Sequence, residues 1–447
     1  MANCKQCGAQ LPTFSFGEAS PFCKTCRAQQ PPPAKRSMED LLAPLGTPFS
    51  PWLNATSVLI AINVAIFLAM VATGVSWMAP TREDLLRWGS SYGPYTLSGQ
   101  YWRLITPAFV HIGIAHLLVN MWCLWYLGRL LERLLGPFTT IGVYVGTAVG
   151  AELLTLSYDP MRGGAGASGA IFGIAGTLIP VLYYGKLELP QDNVRKLLGY
   201  VVRFSLVNLL YGLVGNVDNM AHLGGLVTGL ATGFFLARSF SLPQDQRNAQ
   251  HRNVLIVAAL AMVILFVPIA KAKSYAVEMR KGLLAYDQED FKGAVEHLQK
   301  YAAARPNDAY GHAVLGSALH EAGRYNEAAQ EYDRALQLQP DYAYVQVDLA
   351  RVYLALDKPD KAVEMFKAGI SRLDPDANNY YWYAQALKAT GDLDGAEKAA
   401  RRATDLDIKD AKAQSLLNEI LEAKSTKGPN DGQSPKRKSI KVQPVSQ

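Results

Sequence analysis

The stretch GGAGASGAIFGIAGTLIPVLYY, residues 163 to 184, sets Ser168 at the mouth of an uncharged apolar run. That run has the length of about 20 residues that a helix needs to cross a bilayer. In hydrocarbon each backbone polar group must be satisfied within its own segment, so the run is expected to fold as a transmembrane helix. A nucleophile at its entrance points to chemistry inside a membrane. Two other stretches carry groups that suit it. In NMAHLGGLVTGLATGFFLA, residues 219 to 237, His222 lies near the start; in HIGIAHLLVN, residues 111 to 120, His116 and Asn120 share one helical face.

Seven apolar stretches fit helices, at about 54–73, 105–127, 137–157, 165–184, 197–215, 219–237 and 253–270. If those carrying His116, Ser168 and His222 are the second, fourth and sixth crossings, they run the same way. Their opening ends then lie on one side, and the polar groups meet at similar depth. Ionisable groups at that depth are costly unless they face an interior cavity and find partners, so a shared site is favoured over separate helix contacts. Neutral imidazole at His222 can take the proton of the Ser168 hydroxyl as it attacks a peptide carbonyl and return it to the leaving amine. The negative charge that develops on the carbonyl oxygen needs donors set in advance. His116, Asn120 and the backbone N–H groups at the start of the Ser168 helix can supply them. No third carboxylate is evident in sequence beside these groups.

These residues resemble a known family. Gly166-Ala167-Ser168-Gly169, Ala221-His222-Leu223-Gly224-Gly225, His116-x-x-x-Asn120 and Trp102-Arg103 are similar to the signatures of rhomboid intramembrane serine proteases, over roughly residues 50 to 240. The resemblance implies a six-helix core, a Ser168–His222 dyad with no catalytic cofactor, an oxyanion site around His116, Asn120 and Gly166, and transmembrane proteins as substrates. It also implies an aromatic ring one turn after the serine on which the histidine packs. That residue is often tyrosine in the family and is Phe172 here, so stacking is kept and a hydroxyl is lost. Gly169 and Gly173, facing Ala221, Gly225, Gly229 and Gly233 at intervals of four, are expected to bring two helices close. A soluble hydrolase elbow is excluded, because it needs Gly-x-Ser-x-Gly after a strand, and position 170 is alanine.

Cys4-x-x-Cys7 and Cys23-x-x-Cys26 suit a tetrahedral structural zinc, and a ribbon this small would depend on its metal to fold. A pair of disulfides is the alternative, and it needs an oxidising compartment. No cleavable signal peptide is read, which keeps the ribbon cytosolic. Residues 31 to 53, with Pro31, Pro32 and Pro33, read as a linker. Lys35, Arg36, Arg129, Arg133, Lys186, Arg195, Lys196, Arg238, Arg247 and Arg252 all fall on that side, whereas Lys271, Lys273, Arg280 and Lys281 fall on the other. The majority sets the expected orientation in a plasma membrane, with the active site opening outward. Glu132, Glu152 and Arg203, charged within the spans, are read as structural. The net charge of +6 is spread along the chain and gives no stripe for nucleic acid.

From residue 275 a period of 34 takes over: Gly282, Gly316, Ala350 and Ala384 recur, as do Ala294, Ala328, Ala362 and Ala396. This resembles a tetratricopeptide array of four repeats, with residues 411 to 424 as a capping helix. On that resemblance Tyr310, Tyr344, Arg351, Tyr381 and Lys388 line a groove for a peptide or protein ligand. The expected class is an all-α polytopic membrane protein: a six-helix rhomboid core with a seventh span, a zinc ribbon and an α-solenoid. Its divisions are ribbon 1–30, linker 31–53, core 54–240, loop and seventh helix 241–272, repeats 273–424, and a tail 425–447 too polar to order itself. The competing class is a non-catalytic receptor or adaptor that holds membrane clients. Inactive relatives usually lack the serine or histidine, and this chain keeps both.

Overall fold

A computed structural model of the chain describes residues 4, 7–10, 26, 41, 54–214 and 218–426. Cys23, the linker 31–53 other than Leu41, and the tail beyond residue 426 lie outside the described residues. Apart from a bridge between Ser91 and Gly164 and a bridge residue at Gln10, the described residues are helical or irregular. The membrane region comprises α1 (Ala55–Ala72), α4 (Ile114–Leu135), α5 (Pro137–Tyr158), α6 (Ser168–Tyr184), α7 (Gln191–Val214), α8 (Asn219–Ala237) and α9 (Gln244–Ala272). Between α1 and α4 the chain forms the short helices α2 (Arg82–Arg87) and α3 (Gly93–Thr96). Five of the seven long helices are long and apolar enough to span a membrane, while α6 is apolar but shorter.

The second span corrects the sequence reading. Residues 106–109 form a separate tight turn, and the helix starts only at Ile114, then runs on to Leu135. Pro107 lies in that turn, and Gly113 sits at φ +82°, a conformation that admits no continuous helix. Consequently His116 lies in the first turn of α4. Glu132 near its other end accepts hydrogen bonds from the Ala55 and Thr56 amides at 2.8 and 2.9 Å and from the Thr56 hydroxyl at 2.6 Å. It thus satisfies the opening amides of α1, the structural role expected of it. Arg203 is likewise structural: it donates to Gly199 O within its own helix and lies over Tyr200.

Helix α8 is pressed directly on α6. A Cβ on Gly225 would stand 1.9 Å from Gly169 O, and one on Gly229 would stand 2.1 Å from Gly173 O. The backbones touch where the small residues face each other, because in lipid close packing rather than water exclusion drives helix association. Tyr144 anchors the other side of α6's neighbour α5, donating to Ala108 O at 2.8 Å, with Asn63 of α1 donating to its hydroxyl at 3.3 Å.

Beyond α9 the chain forms four helix pairs, as the period of 34 requires. They are α10 (Tyr275–Asp287) with α11 (Phe291–Ala304), α12 (Ala309–Glu321) with α13 (Tyr325–Leu338), α14 (Ala343–Ala355) with α15 (Pro359–Ile370), and α16 (Ala377–Thr390) with α17 (Leu393–Leu406). A last helix, α18 (Ala411–Thr426), covers the end. The recurring alanines Ala294, Ala328, Ala362 and Ala396 are all fully buried, so the repeat reflects packing of each pair on the next. Helix α10 rests on α3, so the array sits against the loop between the first two spans.

Candidate active site

A cavity of about 580 Å³ opens beside the start of α6. Its wall includes Ser168, His116, Gly163–Gly166, Glu152, Arg162 and Asp218. Ser168 is the first residue of α6, and no side chain caps that helix. Its opening amides and the positive end of its dipole are therefore left for an anion at the cavity.

Gly166 adopts φ +132°, and a Cβ there would stand 2.5 Å from His116 Cε1 and 2.9 Å from His116 Nε2. Only glycine lets the approach to Ser168 pass this close to the imidazole. The Gly166 amide donates to Pro107 O at 2.8 Å. His116 Nδ1 accepts from the Ile112 amide at 3.4 Å, which leaves the proton on Nε2, on the ring edge that with Cε1 lies against Gly166. A donor is thus presented to the serine loop. Asn120 is buried and gives one amide hydrogen to His116 O at 3.0 Å, one turn back on α4. It braces His116 and is not among the residues that line the cavity.

His222 stacks on Phe172 with ring centroids 4.2 Å apart and planes 18° from parallel. The ring is buried, and neither of its nitrogens has a hydrogen-bond partner among the described residues. The expected Ser168–His222 hydrogen bond is therefore not formed in this structure. An imidazole with its lone pair uncommitted is nevertheless suited to accept a proton, and such bonds often tighten only when substrate binds.

Asp218 and His111 escaped the sequence reading, and Glu152, read there as structural, proves to line the cavity as well. Glu152 and Asp218 both line the cavity, although 66 residues separate their numbers, 218 − 152. Glu152 accepts a short hydrogen bond from the Ser91 hydroxyl, tying α5 to the first loop. Asp218 caps α8, accepting from the Met220 and Ala221 amides at 3.1 and 3.2 Å and from the Thr155 hydroxyl at 3.1 Å. It sets the start of the helix that carries His222. An acidic residue four positions before the histidine was the available signal for it. His111 is fully buried, and its Nε2 accepts from the Ala167 amide at 3.4 Å.

At the N-terminus the sulfur atoms of Cys4, Cys7 and Cys26 lie within 4.8 Å of one another. Zinc–sulfur bonds of about 2.3 Å put tetrahedral thiolates about 3.8 Å apart, so this set fits the ion. Cys23, the fourth expected ligand, is outside the described residues. In the repeats, Tyr310 and Tyr344 are the second residues of their helices and are exposed, and Arg351 donates to Asn379 Oδ1 at 2.6 Å beside Tyr344. Tyr381 packs against the apolar cluster that includes Ala384 and Leu416, and Lys388 pairs with Glu419 of the capping helix. The cap thus supplies the partner of Lys388, whereas the Tyr381 hydroxyl accepts from Gln385 Nε2 of its own helix at 2.7 Å.

A profile described as Rhomboid domain matches residues 98–239, and three tetratricopeptide-repeat profiles match residues 279–343, 319–381 and 377–409. Rhomboid protease GluP of Bacillus subtilis is 27% identical over 301 residues, covering 67% of this chain and 57% of that protein. YdcA of the same bacterium, named for the same protease family, is 30% identical over 178 residues, which are 38% of this chain and 86% of YdcA. Rhomboid-like protease 2 of Toxoplasma gondii is 29% identical over 181 residues, 39% of this chain and 62% of that protein. The alignments thus span less than two thirds of GluP and of the Toxoplasma protein.

Proposed function

From the premise that this chain belongs to the rhomboid family, we propose that it is an intramembrane serine endopeptidase that cuts transmembrane proteins. The observation that carries this is Ser168 on the wall of a cavity at the opening end of its helix, with the uncommitted imidazole of His222 held by Phe172 on the neighbouring helix. Ser168 Oγ attacks the peptide carbonyl and His222 takes its proton. The oxyanion is met by the first amides of α6 and by His116 Nε2–H. Collapse expels the amine, which receives the proton from His222, and leaves an acyl ester on Ser168. Water activated by the same imidazole then hydrolyses the ester. The test is cleavage of a membrane substrate by the parent and by serine and histidine variants. Cleavage that survives the serine change would remove the reading; purified protein that cleaves nothing, together with a cellular phenotype unchanged by Ser168→Ala, would favour the client-holding receptor.

The organisation proposed around this core keeps a ribbon at 1–30, a linker at 31–53, the core at 54–240, a seventh helix within 241–272, repeats at 273–424 and a tail beyond. The N-terminus is assigned to the cytosol of a plasma-membrane protein and the repeats to the outside, from the bias of Lys and Arg toward the ribbon side. Protease added to intact protoplasts is expected to remove the repeats and spare the ribbon; the opposite pattern would reverse the orientation. Cys4, Cys7, Cys23 and Cys26 are proposed to hold one structural zinc per chain. Changing Cys4 and Cys7 to serine is expected to release the metal, and an unchanged zinc content by elemental analysis would exclude the site.

A further inference from the structure

Helix α10 is fastened to the rim of the active-site cavity. The Arg280 guanidinium lies 4.8 Å from the Tyr95 ring centroid, with Arg103 at 5.0 Å from the same ring. Arg280 also reaches Ser98 O at 3.5 Å, and Arg305 of the repeats approaches Asp159 at 3.8 Å. Met161 packs against the apolar core of the first repeats, while its neighbour Arg162 lines the cavity that holds Ser168. Arg82 donates to Met161 O at 3.4 Å, lies over Tyr92, and acts electrostatically on Tyr310, the first aromatic of the repeat groove. The cavity rim and the start of the groove are thus built from one continuous set of residues.

Past Tyr310 the surface continues to Tyr344, 67% exposed, and to a second depression of about 450 Å³ that includes Tyr344, Asp348, Arg351 and Asn379. Exposed phenol faces with amide and guanidinium groups beside them suit an extended polypeptide, taking apolar side chains and backbone carbonyls. Arg162 on the cavity wall follows Met161, which packs on the first repeats, so the cavity and the row share one edge of the protein. We propose that the groove is an exosite for the extramembrane segment of the same polypeptide whose span is cut at Ser168, rather than for an independent partner. The proposal rests on the protease reading above.

The test uses the full chain with Ser168→Ala, in native membranes, with p-benzoylphenylalanine in place of Tyr344 or, as a control, of Lys367 on the second helix of that repeat. Photo-adducts are compared with the new protein N-termini that disappear in the Ser168→Ala strain. Proteins that lose such a terminus are expected to be enriched about tenfold at position 344 over the control, with attachment next to the cut span. Equal yields at the two positions, or adducts only on proteins with no Ser168-dependent cut, overturn the exosite. An identical set of termini in both strains overturns the protease reading, and this inference with it.

Discussion

Replacing Ser168 by alanine is expected to lower cleavage of a membrane substrate by a factor on the order of 10⁴ or more, to below detection. His222→Ala is expected to do nearly as much, because nucleophile and base act as one unit. The reason lies in the site. The cavity wall offers one serine hydroxyl at the uncapped start of α6, and the imidazole that would activate it stacks on Phe172 with no hydrogen-bond partner for its nitrogens among the described residues. A serine-reactive fluorophosphonate should label the parent and neither variant. The double variant should be no worse than either single one. Labelling retained after the serine change would mean that another residue carries the reaction.

The second large effect is expected at a position that touches no substrate. Gly225→Ala puts a methyl 1.9 Å from Gly169 O and 2.9 Å from the Gly169 carbonyl carbon. Both are backbone atoms of a buried helix, so they cannot swing aside as a side chain would. Overpacking of this kind is expected to cost about 3 kcal/mol and to force α8 away from α6. His222 sits three residues earlier on α8, so the same shift moves it from Phe172 and Ser168. Thermal unfolding in detergent should show a lower midpoint, and activity should fall even at temperatures where the variant stays folded. A variant with parental midpoint and rate would show that the two helices are not in contact at this level. Phe172→Leu makes a useful contrast, since it removes the stacked ring without separating the backbones.

The course of the chain was largely legible in the sequence, because the signals are periodic. Small residues every four positions marked the α6–α8 contact, an interval of 34 marked the four pairs, and the resemblance to tetratricopeptide arrays supplied the cap. Ser168 and His222 were legible because each lies in the first turn of an apolar helix, and Phe172 was singled out by the resemblance to the rhomboid family. What escaped depends on convergence between distant segments. Glu152 looks like a lone charge in an apolar helix until Ser91 is seen against it, and Asp218 looks like a loop residue until Thr155 and the first turn of α8 are seen around it. The late start of the second span follows from one backbone angle at Gly113, which residue type alone does not announce. At the array's end a helix outside the repeat pattern supplies contacts that the period does not announce: Lys388 pairs with Glu419 of α18, and Tyr381 packs against the last apolar cluster.

Helix α9 gains a role from its attachments. At its lower end His251 is held between the Thr139 and Ser239 hydroxyls at 3.1 and 2.8 Å, while only 6% of its most apolar window is buried in the protein. Its 29 residues extend about 44 Å at about 1.5 Å per residue, against a hydrocarbon layer of about 30 Å. A rod pinned at its base and joined above to a docked array works as a depth gauge. It fixes how far the array stands above the oily layer, and so ties the height of the repeats to the level at which a passing helix enters the bundle.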